Sequence, residues 1–131
     1  MKQKLTKEQQ ETLRKTKTLL FDLEVSPMLA YTYNYYEGNV LKVVEQPKLL
    51  CFSYKWLGET CKPKTVCLID GSIDPKDDSW ITQRLWTLLD EANMAIAYNG
   101  DKFDAKVANT FFIEHGLVPP TPYKMLDPIK A

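Results

Sequence analysis

The most informative hydrophobic pattern lies at Thr18–Pro27, where a run of bulky apolar residues is interrupted by two acids. A short apolar run that ends at Ser26-Pro27 is typical of a buried strand. Asp22 and Glu24 stand two positions apart, so in a strand both carboxylates project from the same face. We therefore predict a strand that carries two neighbouring acids at its end. Taken alone, the same pattern also fits an edge strand whose acids simply face water.

Further strands are indicated by aromatic and β-branched residues downstream. Alternating tyrosines within Met28–Tyr36 are typical of a strand with one aromatic face. Similar patterns continue at Val40–Val44, Leu49–Leu57 and Thr65–Ile69. We expect these segments to extend the first strand into an antiparallel meander. The tyrosines could stack on single-stranded bases, but a buried or half-buried strand face is the favoured interpretation.

The pattern changes to helical spacing in the second half of the chain. It predicts a helix over Trp80–Ala92, capped by Asp78 or Ser79, and a second helix from about residue 102 to 115 that ends at Gly116. Short strands are predicted at Met94–Tyr98 and from residue 123 to 126. A meander followed by helix, strand, helix and strand predicts a mixed α/β sheet with helices on its faces.

The first 17 residues are polar and charged, which predicts an N-terminal surface helix from about Lys7 to Lys15. Thr6 and Gln9 have the spacing of a capping box for this helix. We expect residues 18–131 to form one domain, since a chain of 131 residues can bury a modest core.

Charge and cysteine content exclude some classes of function. Lys+Arg and Asp+Glu balance at 17 each, so nucleic acid would have to bind a local patch rather than a global basic field. The apolar runs are too short to span a bilayer, and we expect no membrane association. Three cysteines without a Cys-x-x-Cys pair, and a single histidine, argue against zinc and for reduced thiols in the cytoplasm.

A second acidic position follows a tight turn. Asn99-Gly100 ends the predicted strand, and Asp104 lies in the first turn of the next helix, where the helix dipole favours a negative charge. A position in the first turn of a helix is by itself enough to explain an acid at residue 104. Strand ends at one edge of a mixed sheet can nevertheless converge, which would bring Asp104 to Asp22 and Glu24. Three converging carboxylates favour Mg²⁺ or Mn²⁺ and make a two-metal phosphodiester site plausible.

Two motifs carry a resemblance to a known family. Phe-Asp-Leu-Glu at 21–24 and Tyr-Asn-Gly-Asp-Lys-Phe-Asp at 98–104 resemble the first two motifs of DnaQ-like (DEDD) 3′–5′ exonucleases. More narrowly, the chain is similar to predicted exonuclease-like proteins of phages and bacteria. The resemblance spans roughly residue 19 to the C-terminus and implies an α/β, ribonuclease H-like mixed sheet. It implies that Asp22, Glu24 and Asp104 are the catalytic residues and the ligands of Mg²⁺ or Mn²⁺, with two ions in the complete family site.

The resemblance also implies a substrate and a setting. The substrate would be single-stranded DNA or DNA 3′ ends, which Asn99 would contact unless it only shapes the site, and Phe103 is assigned to the same contact. Lys102 flanks the site and could meet a phosphate, although a solvated helix lysine is an equally good interpretation. Asp127 matches a frequent acid after the next strand that is not generally a metal ligand. The setting would be the cytoplasm of a bacterium or of a phage-infected host cell.

One family motif is missing from the sequence. The third motif, Tyr or His followed by a fourth Asp on a later helix, does not occur before Ala131. We therefore expect a C-terminally truncated domain and an incomplete site. The chain would be a fragment of a longer protein or a natural truncation, or a second chain would supply the missing motif. The alternative function is a catalytically inactive ribonuclease H-like module that binds nucleic acid or a replication or repair partner.

Overall fold

The computed structural model describes residues 4–36, 38–100 and 103–128, with the side chains of Leu13 and Arg14 left out. The elements in chain order are α1 (Lys7–Lys15), β1 (Thr18–Val25), β2 (Leu29–Thr32), β3 (Val40–Glu45), β4 (Leu49–Trp56), β5 (Lys64–Cys67), α2 (Ser79–Glu91), β6 (Met94–Ile96), α3 (Asp104–Glu114) and β7 (Lys124–Leu126). A single turn of 3-10 helix, Leu68–Asp70, follows β5. The capping box predicted for α1 is present, because Thr6 and Gln9 exchange backbone and side-chain hydrogen bonds.

Five strands form one mixed sheet in the order β5-β4-β1-β6-β7. β1 pairs with β4, and β4 with β5, in antiparallel orientation, whereas β1, β6 and β7 run parallel. The parallel strands are joined through α2 and α3, since parallel neighbours need a crossover connection. The prediction of an α/β protein with a mixed sheet is confirmed.

The tyrosine-rich segment does not belong to that sheet. β2 and β3 pair with each other in a separate two-stranded sheet. β4 instead pairs directly with β1 over almost its whole length, from Leu19 opposite Trp56 to Val25 opposite Leu49, and so occupies the edge that the hairpin would have needed. The predicted continuous meander through residues 28–44 is therefore wrong. Alternating side chains in the sequence identify a strand, but they do not identify the strand with which it pairs.

Exposure of the tyrosines corrects a second expectation. Tyr31 is 63% exposed, Tyr33 is 78% exposed, and Tyr35 and Tyr36 are fully exposed. Only Tyr31 lies in a strand, because β2 ends at Thr32. The favoured interpretation of a buried aromatic face is wrong, since the separate hairpin gives these rings no second layer to pack against.

The core lies on one face of the large sheet. Alternate residues of β1 point into it, and α2 and α3 cover it from the other side. The buried cluster includes Leu19, Phe21, Leu23, Phe52, Tyr54, Ala95, Ile81, Leu85, Leu89, Ala108, Phe111 and Phe112. On the opposite face, most side chains of β1 and β4 are exposed or half-buried, with Thr18 as a buried exception, and neither α2 nor α3 covers it. We expected helices on the faces of the sheet, and α2 and α3 both cover the same face.

The end of α3 and the start of α2 are fixed by contacts of different kinds. Gly116 has a positive φ of 68°, and its N–H donates to the carbonyl of Ile113, so the predicted glycine ends α3, directly after the C-cap residue His115. Asp78 lies at the N-cap position of α2, but its side chain makes no capping bond there. Its buried carboxylate instead accepts the Leu49 N–H at 3.0 Å and bonds His115 Nε2 at 2.7 Å. These two bonds of the Asp78 carboxylate connect the start of α2 with the start of β4 and with the end of α3.

Candidate active site

Asp22 and Glu24 lie on the open face of the sheet. Both side chains are exposed, whereas Phe21 and Leu23 between and beside them are buried in the core. The period of two along β1 separates these sets, because successive side chains of a strand point to opposite faces. The two acids are therefore placed side by side, next to solvent.

Strand β4, which pairs with β1, places small polar side chains next to these acids. Ser53 is the cross-strand neighbour of Asp22, and Cys51 is that of Glu24. The Ser53 hydroxyl in turn bonds the Thr65 hydroxyl on β5 at 2.8 Å. Directly opposite residues in an antiparallel pair share a face, so the cross-strand neighbours of the two carboxylates on β4 are both uncharged.

Asp104 reaches the same strand from the opposite edge. β6 ends at Ile96, which pairs with Leu20, so the backbone of β1 beyond Leu20 has no partner in β6. The first turn of α3 lies beside this free edge, and the Asp104 carboxyl forms a hydrogen bond with the backbone of Leu23. Asp104 is only 3% exposed.

The carboxyl group of Asp104 is electrostatically strained. Burial raises its pKa to about 6, and the negative charges of Asp22, Glu24 and Asp127 add to the increase, while the Leu23 backbone hydrogen bond opposes it. Its Oδ2 atom is buried and has no hydrogen-bond partner among the described residues. A positive charge here would relieve the repulsion and satisfy the buried oxygen.

The turn before α3 is held by Asp127. Asn99 has a positive φ of 56°, a conformation that Asn tolerates better than most residues. Its N–H donates to Asp127 Oδ1 at 2.8 Å, and Asp127, at the end of β7, is buried. Gly100 allows the close approach, since a Cβ there would lie 2.5 Å from Met125 Cε and 2.6 Å from Ala97 Cβ.

The residues expected to contact substrate lie around this turn. Asn99 is half-buried and Phe103 is 44% exposed, so both border the start of α3. Lys102 lies outside the described residues. Asp127 now has a visible role, which is to orient the turn that leads to Asp104. The sequence offered Asp127 only through the family resemblance.

A shallow depression of about 610 Å³ opens beside Asp22. Leu20, Ile96 and Tyr98 give it apolar walls, and Lys55 contributes a cation. Sequence reasoning missed this surface because its walls come from three strands and a loop. The register of Leu20 with Ile96 and Lys55 is what assembles it.

The donor set suits a hard divalent cation. Carboxylate oxygens are the ligands that Mg²⁺ and Mn²⁺ prefer, and the buried Oδ2 of Asp104 provides one that is already fixed. Within residues 4–36, 38–100 and 103–128, however, no three Asp, Glu, His or Cys side chains already form a metal-binding group. Asp22 and Glu24 are exposed, so packing does not fix their side chains as it fixes Asp104.

The helices in the described part of the chain are all too short or too polar to cross a membrane. No protein-family model matches the sequence, and a comparison with curated proteins gives no significant match.

Proposed function

We propose that this chain is a metal-dependent 3′–5′ exonuclease domain of the DnaQ-like type that hydrolyses phosphodiester bonds at DNA ends. The observation that carries the proposal is the position of Asp104. Its buried carboxyl lies against the free edge of β1, within electrostatic reach of Asp22 and Glu24. An acid that served only to cap a helix would gain nothing from two like charges beside it.

The sheet supports the ribonuclease H-like part of the proposal. An antiparallel meander of β1, β4 and β5 is followed by helix, strand, helix and strand, which is the chain order expected of that fold. The β2–β3 hairpin is then an insertion between the first two strands of the meander.

The roles of the residues follow from their surroundings. Asp22, Glu24 and Asp104 would hold Mg²⁺ or Mn²⁺, which would supply a hydroxide nucleophile and stabilise the charge of the attacking and leaving oxygens. The Leu23 backbone fixes the Asp104 carboxyl. Asp127 orients the turn of Asn99. The depression beside Asp22 would receive the end of a DNA strand.

Digestion of a 5′-labelled single-stranded oligonucleotide in Mn²⁺ tests the proposal. We expect a ladder that shortens from the 3′ end, is abolished by EDTA, and falls by about 100-fold or more in Asp22→Asn and Glu24→Gln. Both acids are exposed, so the substitutions should leave the protein folded. Glu114→Gln, on the exposed far end of α3, is the matched control and should cleave normally. Cleavage that survives in both variants would refute the assignment.

One observation favours a second candidate, a catalytically inactive module that binds nucleic acid. The described residues contain no ready-made group of three metal ligands. On this alternative, a folded protein binds a labelled single strand in EDTA, with an anisotropy change that Mn²⁺ does not alter. It also cleaves no faster than Asp22→Asn.

A further inference from the structure

Two of the three cysteines face each other across neighbouring strands. Cys51 on β4 is the register partner of Cys67 on β5. Opposite residues of an antiparallel pair share a face and have Cα atoms about 4.5 or 5.5 Å apart, which lies within the range that a disulfide spans. Both thiols are free and half-buried, so small reagents can reach them.

The third cysteine is kept apart from this pair. Cys61 lies in the loop that joins β4 to β5, beyond the opposite end of the paired region, and its thiol donates to Glu59 Oε2 at 3.2 Å. Three residue steps along β4 separate Cys51 from the last paired residue, Tyr54. At a rise of about 3.3 Å per residue, this distance keeps Cys61 out of reach.

We propose that Cys51 and Cys67 form a dithiol site that small-molecule disulfides, such as oxidised glutathione, convert reversibly into a cross-strand disulfide. Strand register and the partial exposure of both thiols define this site, whether or not the chain is a nuclease. The site nevertheless adjoins the acids, because Cys51 is also the register partner of Glu24. The row Glu24, Cys51 and Cys67 therefore crosses three adjacent strands.

The reaction balances as two thiol–disulfide exchanges. One cysteine thiolate attacks a sulfur of oxidised glutathione, breaks the S–S bond, and releases one glutathione thiolate. The other cysteine, after losing its proton, attacks the protein sulfur of the mixed disulfide and releases the second glutathione. The two protein thiols lose two electrons, which reduce the oxidised glutathione to two thiols, and their two protons are taken up by those products.

Peptide mapping of the folded, full-length protein tests the proposal. After incubation with oxidised glutathione and alkylation, trypsin should release Leu49–Lys55 linked to Thr65–Lys76. The peptide that contains Cys61 should carry either the alkyl group or glutathione, and no protein cross-link. Dithiothreitol before alkylation should restore three alkylated cysteines. Because the bond closes a loop from Cys51 to Cys67, the urea midpoint should be higher for the oxidised protein than for the reduced one.

Single variants provide the control. Cys67→Ser should leave Cys51 either alkylated or as a glutathione adduct, without the linked peptide, whereas Cys61→Ser should retain the link. Separate adducts at Cys51 and Cys67 in the folded wild-type protein would overturn the proposal. A linked peptide that forms only in urea would also overturn it, because the native register would then not be its cause.

Discussion

Replacing Asp104 by Asn should stabilise the protein at neutral and alkaline pH. The pKa of Asp104 is raised to about 6 in the folded protein, from 3.8 for an ordinary Asp. The folded state therefore binds this proton more tightly than the unfolded chain does. The cost of ionising the buried carboxyl is absent below pH 3.8, grows as the pH rises, and is complete above pH 6.

The magnitude follows from the difference between the two pKa values. At about 1.4 kcal/mol for each tenfold change in proton affinity, the complete cost is about 3 kcal/mol. Asn has the shape of protonated Asp and can still accept the Leu23 backbone hydrogen bond. Its amide nitrogen replaces an oxygen that has no partner among the described residues, which offsets about 1 kcal/mol of the gain. We therefore expect a net gain of about 2 kcal/mol at pH 8.

Urea denaturation in EDTA at pH 8 and pH 4 measures this effect. With an m-value of about 2 kcal/mol/M, the midpoint of Asp104→Asn should rise by about 1 M at pH 8. The advantage should disappear at pH 4, where the wild-type carboxyl is largely protonated in the folded state. Glu114→Gln, on the same helix but exposed, should change the stability by less than about 0.5 kcal/mol at either pH.

Two outcomes would refute this reasoning. A loss of stability in Asp104→Asn at pH 8 would mean that the charged carboxyl is satisfied in the folded protein. An equal gain at both pH values would mean that the effect does not arise from ionisation. A gain at pH 8 together with loss of Mn²⁺-dependent cleavage would show that a functional acid is kept at the expense of stability.

Two other buried contacts make separate predictions. Asp78→Ala should lower the free energy of unfolding by about 3 kcal/mol, because it leaves the buried Leu49 N–H and the His115 imidazole without their acceptor. A loss below about 1 kcal/mol in urea denaturation would contradict this prediction. Gly100→Ala should cost about 1 to 3 kcal/mol, because the added methyl group meets Ala97. Gly38→Ala is its matched control, since a Cβ there contacts no atom, and an equal loss of thermal stability in both variants would refute the steric explanation.

Features that depend on near neighbours in the chain were predictable from the sequence. The capping box of Thr6 and Gln9 and the positive-φ glycine that ends α3, Gly116, were predicted at the residues where they occur. The shared face of Asp22 and Glu24 needed only the period of a strand. In each case a few adjacent dihedral angles and one or two short-range hydrogen bonds decide the outcome.

Only the tertiary structure decided which segments meet. The choice of β4 rather than β2 as the partner of β1 left the tyrosines exposed and set Cys51 beside both Glu24 and Cys67. The early end of β6 freed the edge of β1, where Asp104 is buried. Strand register, burial and the pKa of a carboxyl depend on groups far apart in the chain. The sequence by itself therefore determined which acids could form a site, and the packing of the sheet determined that Asp104 is buried while Asp22 and Glu24 stay exposed.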